Sequence, residues 1–316
     1  MEYFHQPVLL KEVLEYLQPA PGKNFIDGTL GGGGHALSLL EMSSPNGQLL
    51  GLDKDPLAIQ VATKNLKKYQ TRARLIQGSY SNLSKIIHEQ GFDFKFDGLL
   101  LDLGLSSAQV SPSDERGFSF QTDTPLDMRF GPAGRLTAAA ILNNWHERDL
   151  IKIFKEYGQE PKARAVAREI IIFRARKPFE LTSELVAIIS RLYRGRFNRT
   201  KFKMIHPATQ VFQALRIAVN DELNGLRLAL PQLMDSLKTG GCLVIISYHS
   251  LEDKIVKNYF KQESIDCLCP KNFPVCRCNH VAGLKIITKK PVVPGVEEIR
   301  TNRRSRSAKL RVAERL

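Results

Sequence analysis

Apolar residues in the first hundred positions fall into short runs separated by amphipathic stretches. NFIDGTL (24–30) is an apolar run that ends in a glycine turn, and QLLGLD (48–53) is a second that ends in an acid. ARLIQGSY (73–80) and FDGLLLDLG (96–104) are a third and a fourth. The fourth is continuously apolar, as a strand covered on both faces of a parallel sheet must be. Between the second and third, PLAIQVATKNLKKY (56–69) places apolar residues at helical spacing, with Pro56 in the first turn. This alternation predicts an α/β fold with an open, doubly wound sheet.

The rhythm stops after residue 104. Residues 105–135 are rich in Ser, Gly, Pro, Asp and Arg and read as a long irregular loop. From 137 to 203 only helical patterns occur, and a further long helix is predicted over 207–238. The strand signal returns with GGCLVIISYHS (240–250), followed by the helix SLEDKIVKNYF (250–260) with Ser250 as its expected N-cap. LKIITKK (284–290) and SAKLRVAER (307–315) read as a closing antiparallel pair. The predicted layout is a sheet domain (1–112 and 205–316) interrupted by a helical domain (113–204).

Composition narrows the class. The 316 residues are 43% hydrophobic and 25% charged, enough to bury a core without covalent staples. No apolar run approaches the length of a membrane span, and the N-terminal sequence lacks a secretory pattern. A soluble cytoplasmic protein is expected.

The net charge of +14 is not evenly spread. Residues 161–203 carry +9 and residues 285–316 carry +7, leaving −2 on the rest. Two concentrated basic blocks point to a polyanionic partner, most simply nucleic acid. In the first block Phe173, Phe179, Tyr193, Phe197 and Phe202 interleave with the cations, either for stacking on bases or for a core. Arg164, Arg168, Arg174 and Arg176 are the cations expected to hold a phosphate backbone.

The strongest local motif is Asp27-Gly28-Thr29-Leu30-Gly31-Gly32-Gly33-Gly34-His35. A glycine turn between a first strand and a helix is where α/β folds bind nucleotides, and no Gly-Lys-Ser/Thr closes it as a Walker loop would. Asp53 ends the second strand, where an acid accepts the hydroxyls of an adenosine ribose. NAD and S-adenosyl-L-methionine share that ribose, so Asp53 alone does not separate a dehydrogenase from a methyltransferase. Tyr80 and Asp102 end strands three and four, on the same rim. Tyr80 suits adenine packing; Asp102 suits either the cofactor or a substrate proton.

The segments HQPVLLKEVLEYL, IDGTLGGGGH, LDKDP, LLLDLGLSSAQV, ERGFSF with PLDMR, HPATQVFQALRIAVNDEL, ISYHSLEDKIVK and NRRSRSAKLRVAER together resemble the ribosomal RNA small subunit methyltransferase H family, also called MraW. The resemblance implies a Rossmann-like class I methyltransferase sheet with an inserted all-helical domain. It implies S-adenosyl-L-methionine as cofactor and methylation of the exocyclic N4 of a cytidine in the decoding region of 16S rRNA, within the small ribosomal subunit. It implies cofactor contacts at Gly33, Gly34, His35, Asp53, Tyr80, Asp102 and Gln109. Oligomeric state, a homodimer included, is left open.

The chemistry asks mainly for alignment, because a sulfonium already activates the methyl group while the cytosine amine is conjugated with its ring. An acceptor for an N4 hydrogen assists, and Asp102 is the expected catalytic residue. Ser247, Tyr248 and His249 are expected to line the base pocket, and Phe118 and Phe120 either close over the cofactor or are buried in the domain interface. Ser247, His249, Ser250 and Asp253 include hydrolase-triad types but no nucleophile elbow precedes them. Cys267-x-Cys269-x₆-Cys276-x-Cys278, with His280 nearby, has zinc donors at tighter spacing than usual, and no metal is assigned to it. The rival readings are a dehydrogenase and a ribosome-assembly factor that transfers no methyl group.

Overall fold

The computed structural model describes residues 7–106, 108–111, 113–132, 134–193, 206–270 and 275–316. Phe197 and Phe202 of the first basic block lie outside these residues. The chain forms two compact units, Met1–Gly104 with Leu223–Leu316, and Leu105–Glu222.

The first unit is built on one seven-stranded sheet. In chain order its elements are α1 (Leu10–Leu17), β1 (Phe25–Asp27), α2 (Gly34–Met42), β2 (Leu49–Asp53), α3 (Pro56–Asn65), β3 (Ala73–Gln77), α4 (Leu83–Glu89) and β4 (Phe96–Asp102). Strand order is β3-β2-β1-β4-β5-β7-β6, where β5 is Leu237–Ser247, β6 is Leu284–Ile286 and β7 is Lys309–Arg315. β1 to β5 run parallel, and β7 returns antiparallel between β5 and β6. This is the class I methyltransferase sheet. The chain leaves β1 for β2 on one side and later fills the other side with β4, so the order reverses at β1, the point where such sheets bind ligands. Leu50, Leu52, Leu99 and Leu101 are buried on one face of the sheet and Leu49 and Leu100 on the other, which is why these strands are apolar on both faces.

The second unit is helical. Its helices are α5 (Ala138–Asn144), α6 (Glu147–Glu156), α7 (Ala163–Arg174), α8 (Thr182–Tyr193) and α9 (Ala208–Asn220). Leu142, Phe154, Ile170, Phe179, Ile189 and Leu215 form one core. The single helix expected over 207–238 is two. Asp221 adopts a left-handed conformation (φ 49°) after α9, and α10 (Glu222–Ser236) starts anew. Because Val211 and Leu215 of α9 pack into the helical core, this unit spans 105–222 rather than 113–204.

The segment 105–135 has neither helix nor strand among its described residues, yet it is pinned. Arg116 forks onto Asp114 and donates to the Phe130 carbonyl; Arg129 forks onto Asp127 and donates to the Gly134 carbonyl. Phe118 stacks on Phe130 at 5.6 Å, and Phe120 packs on His206 and Phe212. Both rings serve the core of their own unit.

After β5, α11 (Ser250–Glu263) is capped by His249 rather than Ser250. The His249 ring accepts the Glu252 amide, and the Glu252 carboxylate accepts the amides of Tyr248 and His249. A capping box of this kind starts the helix one residue earlier than the serine suggested. α12 (Val296–Thr301) precedes β7. No described helix is long and apolar enough to cross a membrane.

Candidate active site

Three parallel strands end in carboxylates: β1 in Asp27, β2 in Asp53 and β4 in Asp102. The glycine turn after β1 is zipped to both neighbouring strands. Gly28 donates to the Leu100 carbonyl and Leu30 to the Leu52 carbonyl. The Asp102 amide donates to the Thr29 hydroxyl at 2.6 Å, and the Thr29 amide donates to Asp27. Gly28 is required by this closeness, since a Cβ there would fall 2.4 Å from Leu101. The same position would meet the Tyr80 Cβ at 3.3 Å, so the residue after β3 also borders the turn. Tyr80 opens a short 3₁₀ turn rather than ending the strand.

Asp53 holds the turn from the other side. One carboxylate oxygen accepts the Gly31 amide and the other the Asp55 amide, both at 2.9 Å. Gly33 caps α2 at φ 82°, a left-handed conformation that suits glycine. The first-turn amides of α2 begin at Gly34 and His35, where a helix presents N–H groups to an anion. The His35 ring is buried, with Nε2 3.0 Å from the Val8 carbonyl oxygen. What His35 brings to the turn is therefore its backbone.

Asp102 is the chemically distinct group. Its Oδ1 accepts the Tyr248 hydroxyl at 2.8 Å, and its Oδ2 has no hydrogen bond among the described residues. Burial pushes its pKa up to about 7; the Tyr248 hydrogen bond opposes the rise, and the Asp27 and Glu252 charges add to it. Burial likewise pushes Asp27 up to about 7, opposed by the Thr29 amide and assisted by the Asp53 charge. Burial and the adjacent Asp102 charge hold the Tyr248 phenol far above the tyrosine range, so it stays a donor. The rim thus pairs a carboxyl that exchanges its proton near neutrality with a hydroxyl that does not.

The structure gathers Gly33, Gly34, His35, Asp53, Tyr80 and Asp102 within one unit, around the carboxyl ends of β1 to β4. Gln109 belongs to the other unit, where it is buried and its side-chain oxygen accepts the Ser106 amide at 3.0 Å. Of the residues after β5, Tyr248 reaches the rim through Asp102. Ser247 is buried with its hydroxyl directed at the Lys309 carbonyl, and His249 caps α11. Asp253 is bound by Arg311 at 2.6 Å, so the triad-like residue types do not assemble as a nucleophile and base. The sequence pattern alone assigns no role to Asp27 or Thr29, although an acid closing β1 is a visible signal.

The basic blocks divide on inspection. Arg164, Arg168 and Arg176 are exposed, whereas Arg174 donates to the Leu142 and Trp145 carbonyls at 2.8 and 2.7 Å, at the end of α5. In the C-terminal block Arg311 is buried on Asp253, while Arg303, Arg304 and Arg306 are exposed.

Residues 2–316 match the MraW methylase family. A ribosomal RNA small subunit methyltransferase H from Thermomicrobium roseum is 47% identical, covering 99% of this chain and 94% of that protein. The proteins of the same name from Geobacter sulfurreducens and Heliobacterium mobile are 48% and 45% identical, each match covering the whole of both chains. With the family match running the whole length and full-length relatives at 45–48% identity, the chain belongs to the MraW methylase family.

Proposed function

We propose that the protein transfers a methyl group from S-adenosyl-L-methionine to the exocyclic N4 of a cytidine in the decoding region of 16S rRNA, in the cytoplasm and within the small ribosomal subunit. The family and its named relatives support methylation of small-subunit rRNA. The finer choice of atom is what the resemblance implies, and one observation suits it: a carboxyl with near-neutral proton affinity, Asp102, sits beside the glycine turn with one oxygen already held by Tyr248.

The residues present fit the cofactor. A Cβ at Gly31 would meet only one atom, at 4.0 Å, and one at Gly32 only one atom, at 3.8 Å, so the turn borders open space. Asp53 supplies the acceptor that vicinal ribose hydroxyls need, and Tyr80, which borders the turn at Gly28, supplies a ring. The amides of Gly34 and His35 supply donors for a carboxylate. When bound, S-adenosyl-L-methionine supplies an electrophilic methyl group on a sulfonium.

This chain's own residues handle the amine. Asp102 accepts an N4 hydrogen through Oδ2, which draws the nitrogen lone pair out of conjugation with the ring. It then holds the proton that the methylated nitrogen releases. Tyr248 is a positioning residue: its hydroxyl fixes the carboxyl plane and favours the ionised form that can accept. The target cytidine must be unstacked to reach such a rim. Exposed Arg164, Arg168 and Arg176 on the helical unit, with Arg303, Arg304 and Arg306, supply cations for the RNA backbone.

The test is incubation with labelled S-adenosyl-L-methionine and small subunits from a strain lacking this enzyme, then nucleoside mass spectrometry of the rRNA. Label in N4-methylcytidine at the decoding region is expected. Label on a ring carbon, a ribose or another base overturns the assignment.

A further inference from the structure

Between α11 and β6 the chain makes an excursion, residues 264–283, that the methyl-transfer chemistry does not use. Its base is closed by the Gly283 amide donating to the Glu263 carbonyl at 2.9 Å and by the Ala282 amide donating to Asp266 at 3.1 Å. Among its described residues the excursion has little apolar core of its own, for Leu268 and Val275 are 42% and 69% exposed. Something other than hydrophobic burial must hold its two arms together.

The two arms are Cys267-Leu268-Cys269 and Cys276-Arg277-Cys278. Their four sulfurs all lie within 4.8 Å of one another. Cys267 and Cys276 sulfurs are 3.4 Å apart, Cys276 and Cys278 3.6 Å, and Cys278 and Cys267 3.9 Å. Four thiolates bound to zinc at about 2.3 Å form a tetrahedron with edges of about 3.8 Å. The separations found bracket that edge.

The backbone around the sulfurs shows the same design. The amide of Leu268, in the middle of the first arm, donates to Cys278 of the second at 3.3 Å. The amide of Arg277, in the middle of the second arm, donates to Cys269 of the first at 3.3 Å. Each arm therefore stabilises a sulfur of the other, and the Cys269 amide adds a bond to Cys267. Reciprocal N–H donors to sulfur are the surroundings that a coordinated thiolate needs. The single-residue spacing, tighter than the usual zinc pairs, is what lets each middle amide reach across. His280 is directed elsewhere, with Nε2 3.2 Å from the Gln262 carbonyl oxygen. The ligand set is all sulfur.

We propose that Cys267, Cys269, Cys276 and Cys278 bind one structural zinc ion that clasps the 264–283 excursion. An S₄ tetrahedron suits zinc, and a closed set with no open position is structural rather than catalytic. Cys242, half-buried in β5, lies outside the cluster.

The experiment is metal analysis of the full-length, untagged protein purified without chelators and under reducing conditions. One zinc per chain is expected, lost in Cys269→Ser and Cys278→Ser and retained in Cys242→Ser. Cobalt titration of the demetallated wild-type protein provides a second reading that needs no variant to fold. It should saturate at one equivalent, with the visible absorption of a tetrahedral tetrathiolate centre. Zinc well below one per chain with four freely reactive thiols overturns the proposal. So does iron in its place, disulfides in the non-reduced mass spectrum, or cobalt spectra lacking tetrahedral thiolate bands.

Discussion

Replacing Tyr248 with Phe removes one hydroxyl and leaves the ring. With it goes the 2.8 Å hydrogen bond that the phenol donates to Asp102. Hydrogen bonds to charged acceptors contribute about 1.5–3 kcal/mol, which is about one to two pH units in the titration of the acceptor. Asp102 titrates at about 7 with this bond in place, and the Tyr248 bond opposes the rise caused by burial. Without it, the acid limb of the rate profile should move up by about one to two pH units. At pH 7 the ionised fraction then falls roughly 5- to 50-fold, and so should the single-turnover rate at saturating cofactor. Near pH 9 the variant should recover about half to nine-tenths of the wild-type rate. The assay is single-turnover methyl transfer to small subunits across pH 6–9. Because Asp27 titrates in the same range, Asp27→Asn with Tyr248 intact is the control, and its acid limb should persist. A Tyr248→Phe rate that is unchanged, or lowered equally at every pH, refutes Asp102 as the proton acceptor.

The buried carboxyls also set a pH dependence of stability. Asp27 has a folded pKa of about 7 against 3.8 unfolded, so the folded state holds the extra proton between those values and stability falls as pH rises through that window. Asp27→Asn should reduce that slope by about half, since Asp102 titrates alongside, and should exceed wild type in denaturant midpoint at pH 8 but not at pH 4. Arg174→Ala should destabilise the protein by about 1–3 kcal/mol in denaturant melts, because two carbonyls at the end of α5 lose a charged donor, whereas Arg176→Ala should be near neutral. Replacing Arg164, Arg168 and Arg176 together with Ala should weaken RNA binding and lower its salt slope by about 0.7–0.9 for each phosphate left without its cation; an unchanged slope removes them from the interface.

The β segments are legible in the sequence because burial on both faces leaves a continuous apolar run, and the acids in the second and fourth runs mark those strands' carboxyl ends. The placing of Asp53 and Asp102 on one rim follows directly from that pattern, whereas the role of Asp27 does not. What is not legible depends on partners distant in the chain. Tyr248 meets Asp102 across 146 residues, and no local spacing reports it. Arg174 resembles its neighbours Arg164 and Arg168 in sequence, and only the position of the α5 carboxyl terminus makes it structural. α9 carries an ordinary amphipathic signal, which says that a face is buried but not in which core. His35 belongs to the turn, as its place in the motif suggests, yet its ring faces the Val8 carbonyl because the segment preceding α1 packs there. The cysteine arms are visible as a motif, but the reciprocal amide bonds that give the pattern its meaning exist only in three dimensions.

The strand tips are the proposed seat of the methyl donor. Isothermal titration of wild-type protein and Asp53→Ala with S-adenosylhomocysteine tests this most directly. Wild type should bind, and the variant should lose about 100-fold in affinity, the effect of about 3 kcal/mol of charged hydrogen bonding, while its circular dichroism is unchanged. Equal affinity in the two proteins would contradict the assignment.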